Sequence, residues 1–125
     1  MPTKRKPPSG HVSIAEEVVS SIARIAAQEV EGISGLKGTV ADGLADLLNA
    51  QKRQGVSAQL IEDQTIRIRL KAVVRYGSPI PEVAKRVQAK VKQEIEGMTG
   101  LRVGAVDVYV QEIDTSEISR QKEES

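Results

Sequence analysis

The chain contains no cysteine, no phenylalanine and no tryptophan, and its only histidine is His11. Without thiols it can form no disulfide, no thiolate metal site and no cysteine nucleophile. His11 stands beside a proline-rich start, where little could orient an imidazole as a base or ligand, so it reads as a surface residue. Serine and threonine are present, but neither cysteine nor a well-placed histidine completes a nucleophile–base pair. No apolar run approaches the ~20 residues needed to span a bilayer. The opening Lys4-Arg5-Lys6 is followed by Pro7, Pro8, Ser9 and Gly10, not by the apolar stretch of a secretory signal. The expected location is the cytoplasm. No cofactor and no metal ion are expected, and the residue inventory argues against an enzyme.

What is present is a chain of 125 residues, the length of one domain. A chain of this size buries roughly two thirds of its surface. Tyr76 and Tyr109 are the only aromatics, so the core must come from Val, Ile, Leu and Ala. The formal charge of +1 conceals an uneven distribution, with a basic start and an acidic end at Glu112, Asp114, Glu117, Glu123 and Glu124. Residues 1–9 read as a disordered basic tail, residues 10–113 as one α+β domain, and residues 114–125 as a polar C-terminal tail.

His11 to Ile14 could form a brief strand. Ser13 and Glu16 have the spacing of a capping box, and predict a helix whose apolar positions are Ile14, Val18, Ile22, Ile25, Ala26 and Val30. Gly32 is placed to end that helix in the left-handed conformation. An extended piece through Ile33, Leu36 and Val40 follows. A shorter helix is predicted at about Gly43 to Arg53, with Leu44, Leu47 and Leu48 on one face and Gly55 closing it. Val56, Ala58 and Leu60 alternate as a strand, and Glu62, Asp63 and Gln64 make a turn. Thr65 to Tyr76 is the clearest strand, placing Ile66, Ile68, Leu70, Ala72, Val74 and Tyr76 on one face and Arg67, Arg69, Lys71 and Arg75 on the other. After the break at Gly77-Ser78-Pro79, Pro81 suits the first turn of a helix. That helix buries Ile80, Val83, Ala84, Val87, Val91 and Ile95 and ends at Gly97. A last strand uses Leu101, Val103, Val106, Val108 and Val110, with a change of parity near Gly104 that predicts a bulge.

The segment Gln28 to Lys37 matches Gln93 to Arg102 by identity or close substitution at every position. Each copy reads as a helix, a glycine cap and a strand. Two such units and a hairpin predict a two-layer α/β sandwich, a small mixed sheet with helices packed on one face. The strands of the strand–helix–strand segment 65–113 are predicted to be parallel.

The closest approach to paired carboxylates is Glu29/Glu31 and Glu94/Glu96. Residues two apart on a helix do not face each other, so these read as solvated helix ends. Carboxylates there oppose the helix dipole, which calls for compensating cations such as Lys37, Arg102 or the basic strand face. The glycines after the first helix do not form a phosphate loop, because such loops open a helix rather than close one. Gly32-Ile33-Ser34-Gly35 and Gly97-Met98-Thr99-Gly100 spell the GxxG of KH-type RNA binders. Here, however, each would join a helix to a strand, with no aromatic platform nearby. The remaining candidate is a surface. Arg67, Arg69, Lys71 and Arg75 share a strand face and repel one another, which calls for an acidic partner in the same chain or another. The cations of the helix that follows, Lys85, Arg86, Lys90 and Lys92, read as an ordinary solvated face. The alternative function is a nucleic-acid or anionic-ligand module using the GxxG loops and this basic strand face.

Several stretches resemble the alkaline shock protein 23 family of envelope stress response proteins from Gram-positive bacteria. They are Gly10-His11-Val12-Ser13-Ile14, Glu29-Val30-Glu31-Gly32-Ile33, and Gly55-Val56. The strongest is Val74-Arg75-Tyr76-Gly77-Ser78-Pro79-Ile80-Pro81-Glu82-Val83, followed by Met98-Thr99-Gly100-Leu101 and Val106-Asp107-Val108-Tyr109-Val110. The similarity covers about residues 10–113. It implies a non-enzymatic cytoplasmic protein that supports cell-envelope homeostasis through protein–protein contacts. It also implies self-association as a homo-oligomer and a place near the membrane through a membrane-anchored protein partner, without direct membrane insertion. It implies no catalytic, cofactor or metal residues.

Overall fold

The computed structural model describes residues 9–37, 55–62 and 64–118. The expected helix at Gly43 to Arg53, the extended Val40 and most of both terminal tails lie outside these residues. The elements in order are α1 (Glu16–Gln28), β1 (Ile33–Leu36), β2 (Val56–Glu62), β3 (Thr65–Arg75), α2 (Ile80–Thr99) and β4 (Arg102–Asp114). The fold is α+β, with both helices on one face of a mixed four-stranded sheet.

Every other strand pairs with β3. Its alternation drives Ile66, Ile68, Leu70, Ala72 and Val74 into the core, each at most 2% exposed. Along one edge β4 runs parallel to it, as the intervening helix requires. Along the other edge β2 and then β1 pair antiparallel in succession, β2 with 65–70 and β1 with 72–74. The hand-over falls at Lys71, whose carbonyl accepts the Lys37 N–H (2.9 Å) and whose N–H donates to the Gly55 carbonyl (2.8 Å). The expected bulge in β4 is present. Val103 pairs with Ile66 and Ala105 with Arg67, leaving Gly104 unpaired between them. A second bulge at Gln111, between Val110↔Ala72 and Glu112↔Val73, was not legible in the sequence.

Helix α2 packs Val83, Val87, Val91 and Ile95 into the core and takes Pro81 in its first turn. Several expectations are corrected. Residues 11–14 form no strand. The capping box does not form: Ala15 is the N-cap of α1 and no side chain caps it. Of the expected stripe of α1, Ala26 is buried, as is Val30 just beyond the helix, and Ile14 and Ile22 pack against the core, but Val18 is 49% and Ile25 52% exposed; Val19, Ser20, Ala23 and Ala27 are buried instead. Helical spacing admits both stripes; small alanines let α1 approach the sheet and α2 closely, and packing selected them. Ile80 and Tyr76 are exposed instead of buried, Tyr76 because β3 has ended at Arg75. Leu60 borders an open recess with Ile14, Val19, Ile66 and Leu101 and is likewise exposed.

The two copies of the internal repeat do not fold alike. In the first, α1 stops at Gln28, Gly32 has φ +99° in the turn, and Ile33 to Leu36 is strand. In the second, α2 continues through Gly97 to Thr99, and Gly100 (φ +75°) caps it. Gly97 therefore ends nothing; the left-handed cap lies three residues later. The outcome follows from partners: Ile33 pairs antiparallel with Val74 of β3, whereas the equivalent Met98 meets no strand and stays helical.

Candidate interaction surface

The face of β3 turned away from the helices carries Arg67, Arg69, Lys71, Val73 and Arg75. Parallel pairing sets residues of β4 beside them on the same face: Asp107 beside Arg69, Tyr109 beside Lys71, Glu112 beside Val73 and Asp114 beside Arg75. The acidic partner that four neighbouring cations called for is thus largely supplied by the same chain. Asp107 Oδ2 lies 3.2 Å from Arg67 Nε and 3.8 Å from Arg69 Nε. The Arg67 contact is an ion pair by distance, but its N–H is not aligned for a hydrogen bond. Both pairs are partly exposed, so each contributes at most about 1 kcal/mol.

Two further links cross this face over β3. Lys37 Nζ donates to Glu112 Oε1 at 3.0 Å, and the Ser34 hydroxyl donates to Asp114. The Ser116 N–H donates to the other oxygen of Asp114 at 2.9 Å. The hydrogen bond from Ser34, then those from Ser116, hold the Asp114 carboxyl at about 2, with the charge of Arg75 a smaller cause. Among the described residues Lys71 has no ion-pair partner. With Ser57, Arg69, Tyr109 and Gln111 it lines an open recess of ≈ 460 Å³ on this face. The candidate residues Arg67, Arg69, Lys71 and Arg75 are thus brought together on one surface, where acids from β4 engage three of them to different degrees. Asp107 was missed as their partner, although the alternation Val106-Asp107-Val108 already placed it opposite the core side.

The acids at the helix ends find other partners than those expected. Lys37 goes to Glu112 and not to the end of α1. Glu96 accepts the Val103 N–H at 2.9 Å and pairs with Lys92 at 2.9 Å. These contacts, the backbone bond first, lower its pKa, with Arg102 the weakest cause. Glu94 pairs with Lys90 at 3.1 Å, and Lys90 is raised by that hydrogen bond and, less, by the charge of Glu29. Glu82–Arg86 completes three pairs at one-turn spacing, so much of the basic face of α2 is balanced along the helix. Neither GxxG forms a grip between two helices: one runs from a turn into β1, the other is the last turn of α2.

Among the described residues no three His, Asp or Glu side chains are grouped to hold a metal ion. No helix among them is long and apolar enough to cross a membrane. The chain is 37% identical to the protein YloU of Bacillus subtilis (strain 168), over 82% of this chain and 87% of that one. It is 35% identical to YqhY of the same organism, over 81% and 75%. At 29% identity it resembles a stress response regulator gls24 homolog of Streptococcus pyogenes, covering 86% of this chain and 61% of the homolog. Among solved structures, a zinc form of the MamM CTD aligns at a TM-score of 0.48 and 16% identity, over 78% of this chain and 86% of that one. A family model, described as having a cell envelope-related function, matches residues 4–115. On that match the chain belongs to the alkaline shock protein 23 family.

Proposed function

We propose that the protein acts in the envelope stress response by binding other proteins and copies of itself, without catalysing a reaction. It would do so from the cytoplasm, held near the membrane by a membrane-anchored partner and not inserted in the bilayer. The observation that carries this reading is the outer sheet face. It is polar, and it presents Lys71 without a local counter-charge beside the partly paired Arg67 and Arg69 and beside Arg75, which makes no ion pair among the described residues. Such a face suits an acidic protein surface, because complementary charge steers association and fixes orientation. The family and the stress-regulator relatives in Streptococcus support the setting.

The test is capture from native cells with membranes retained, comparing wild type with Lys71→Glu combined with Arg69→Gln. These side chains point away from the core, so the melting temperature should stay close to wild type while partner capture falls at least tenfold. Unchanged partners would move the interface off this face. The nucleic-acid reading is separated by retention on RNA or DNA, which phosphate contacts would make steeply salt-dependent.

A further inference from the structure

Strand β4 is thirteen residues long. One of its edges pairs with β3, and among the described residues no strand pairs with the other; near its start Glu96 takes the Val103 N–H and Gln88 donates to the Val106 carbonyl. An edge without a neighbouring strand is a ready template for another one. Its core-side residues are Val103, Val106, Val108, Val110 and Ile113, read from their partners Ile66, Ile68, Leu70, Ala72 and Val74. Because of the two bulges, this set is symmetric about Val108: Val106 and Val110 lie two positions away, Val103 and Ile113 five. The outward set closes in the same way, with Arg102 and Asp114 at its two ends.

We propose that β4 pairs antiparallel with β4 of a second copy, with Val108 on the twofold axis, so that two sheets join into one. The inference rests on the self-association proposed above and names where it occurs. In this register Val108 faces itself, Val106 faces the partner's Val110 and Val103 faces the partner's Ile113. Arg102, which has no ion-pair partner among the described residues, faces the partner's Asp114, and twofold symmetry repeats that contact. Opposite charges meet and no like charges do, which is what stabilises cross-strand pairs. Neighbouring registers fail. An axis at Asp107 sets that carboxylate against itself, an axis at Val106 sets Arg102 against Val110, and axes at Tyr109 or Val110 set Glu112 against a valine.

A second observation agrees. On the helix side the free edge borders a groove of ≈ 470 Å³ with Ala89, Val103, Ala105 and Val106 along its floor and Lys85, Gln88 and Lys92 of α2 at its rim. Val106, Val108 and Val110 are only partly buried within one copy, and Ile113 is 36% exposed. The partner's Ile113 and Val110, opposite Val103 and Val106, bring apolar side chains to this groove. An isologous contact of this kind closes a dimer and does not propagate.

The absence of cysteine gives a clean background for cross-linking. At the axis the two Cα atoms of residue 108 would stand about 4.5–5.5 Å apart, within disulfide range. Val108→Cys should become mostly covalent dimer under mild oxidation. Ala105→Cys should yield less than a tenth as much, because its two copies would be roughly 20 Å apart. An equimolar mixture of Val106→Cys and Val110→Cys should form the mixed dimer in preference to either homodimer, and it stands in if Val108→Cys loses its cooperative melt. Equal cross-linking at every position, or none, overturns the pairing. Sedimentation of the wild type separates the two readings. An oligomer without these cross-links sinks the edge and leaves self-association standing. A wild-type monomer at all concentrations sinks the edge pairing as well, and self-association with it.

Discussion

Gly32 and Gly97 occupy equivalent places in the internal repeat, yet replacing each by alanine should shift stability in opposite directions. Gly32 has φ +99°, a conformation that costs a residue with a Cβ about 1–2 kcal/mol. A Cβ there would also lie 2.7 Å from Val83 Cγ2 and 3.2 Å from Ser78 Oγ. Val83 is 1% exposed in the core and cannot withdraw freely, so overpacking adds roughly 1–3 kcal/mol. Gly32→Ala should therefore destabilise by about 2–5 kcal/mol. Gly97 lies inside α2 on an exposed surface, with nothing within 4 Å of its would-be Cβ. There alanine relieves the entropic cost of glycine in a helix and should stabilise by about 0.5–1 kcal/mol. Urea unfolding monitored by far-ultraviolet dichroism reads both, as midpoint shifts of opposite sign at an unchanged slope. A loss of similar size in both variants would refute the reasoning, because it would mean that Gly97 also holds a left-handed turn and that the repeats fold alike.

Ile68 is fully buried at the centre of β3, and Ile68→Asp leaves a carboxylate there without a partner, at a cost of several kcal/mol. Since domains are stable by only about 5–15 kcal/mol, the variant should lose its cooperative melt; an unchanged melt would show the strand faces reversed. The Asp114 carboxyl is lowered from 3.8 to about 2. The stability it contributes is complete above about 4 and lost as pH falls toward 2. Asp114→Asn should flatten the decline of melting temperature across that window, and a slope identical to wild type would mean that the Ser34 and Ser116 contacts do not form in solution.

The alternation of β3, the aliphatic core, the bulge at Gly104 and the parallel return of β4 follow from periodicity and glycine placement, which act locally. They are the features that reading residues in order recovers. The stripe of α1 was recoverable only in part. Ala26 follows from spacing, but hydrophobicity alone favours Val18 and Ile25, and only the close approach to the sheet and α2 selects Ala23 and Ala27.

The four cations of β3 could be named from the sequence as one face, together with the repulsion that demanded an acidic neighbour. That the neighbour is Asp107, with Glu112 and Asp114 engaged farther along β4, depended on a parallel register shifted twice by bulges. Such a register is a property of two strands packed together and is not written in either alone. The two copies of the repeat make the same point. The two decapeptides are identical at six of ten positions, yet one puts Ile33 in a strand and the other keeps Met98 in a helix, because an edge of β3 was open to Ile33 and none was open to Met98. Local sequence set what each segment could become; the pairing partners available in three dimensions decided which of those it is.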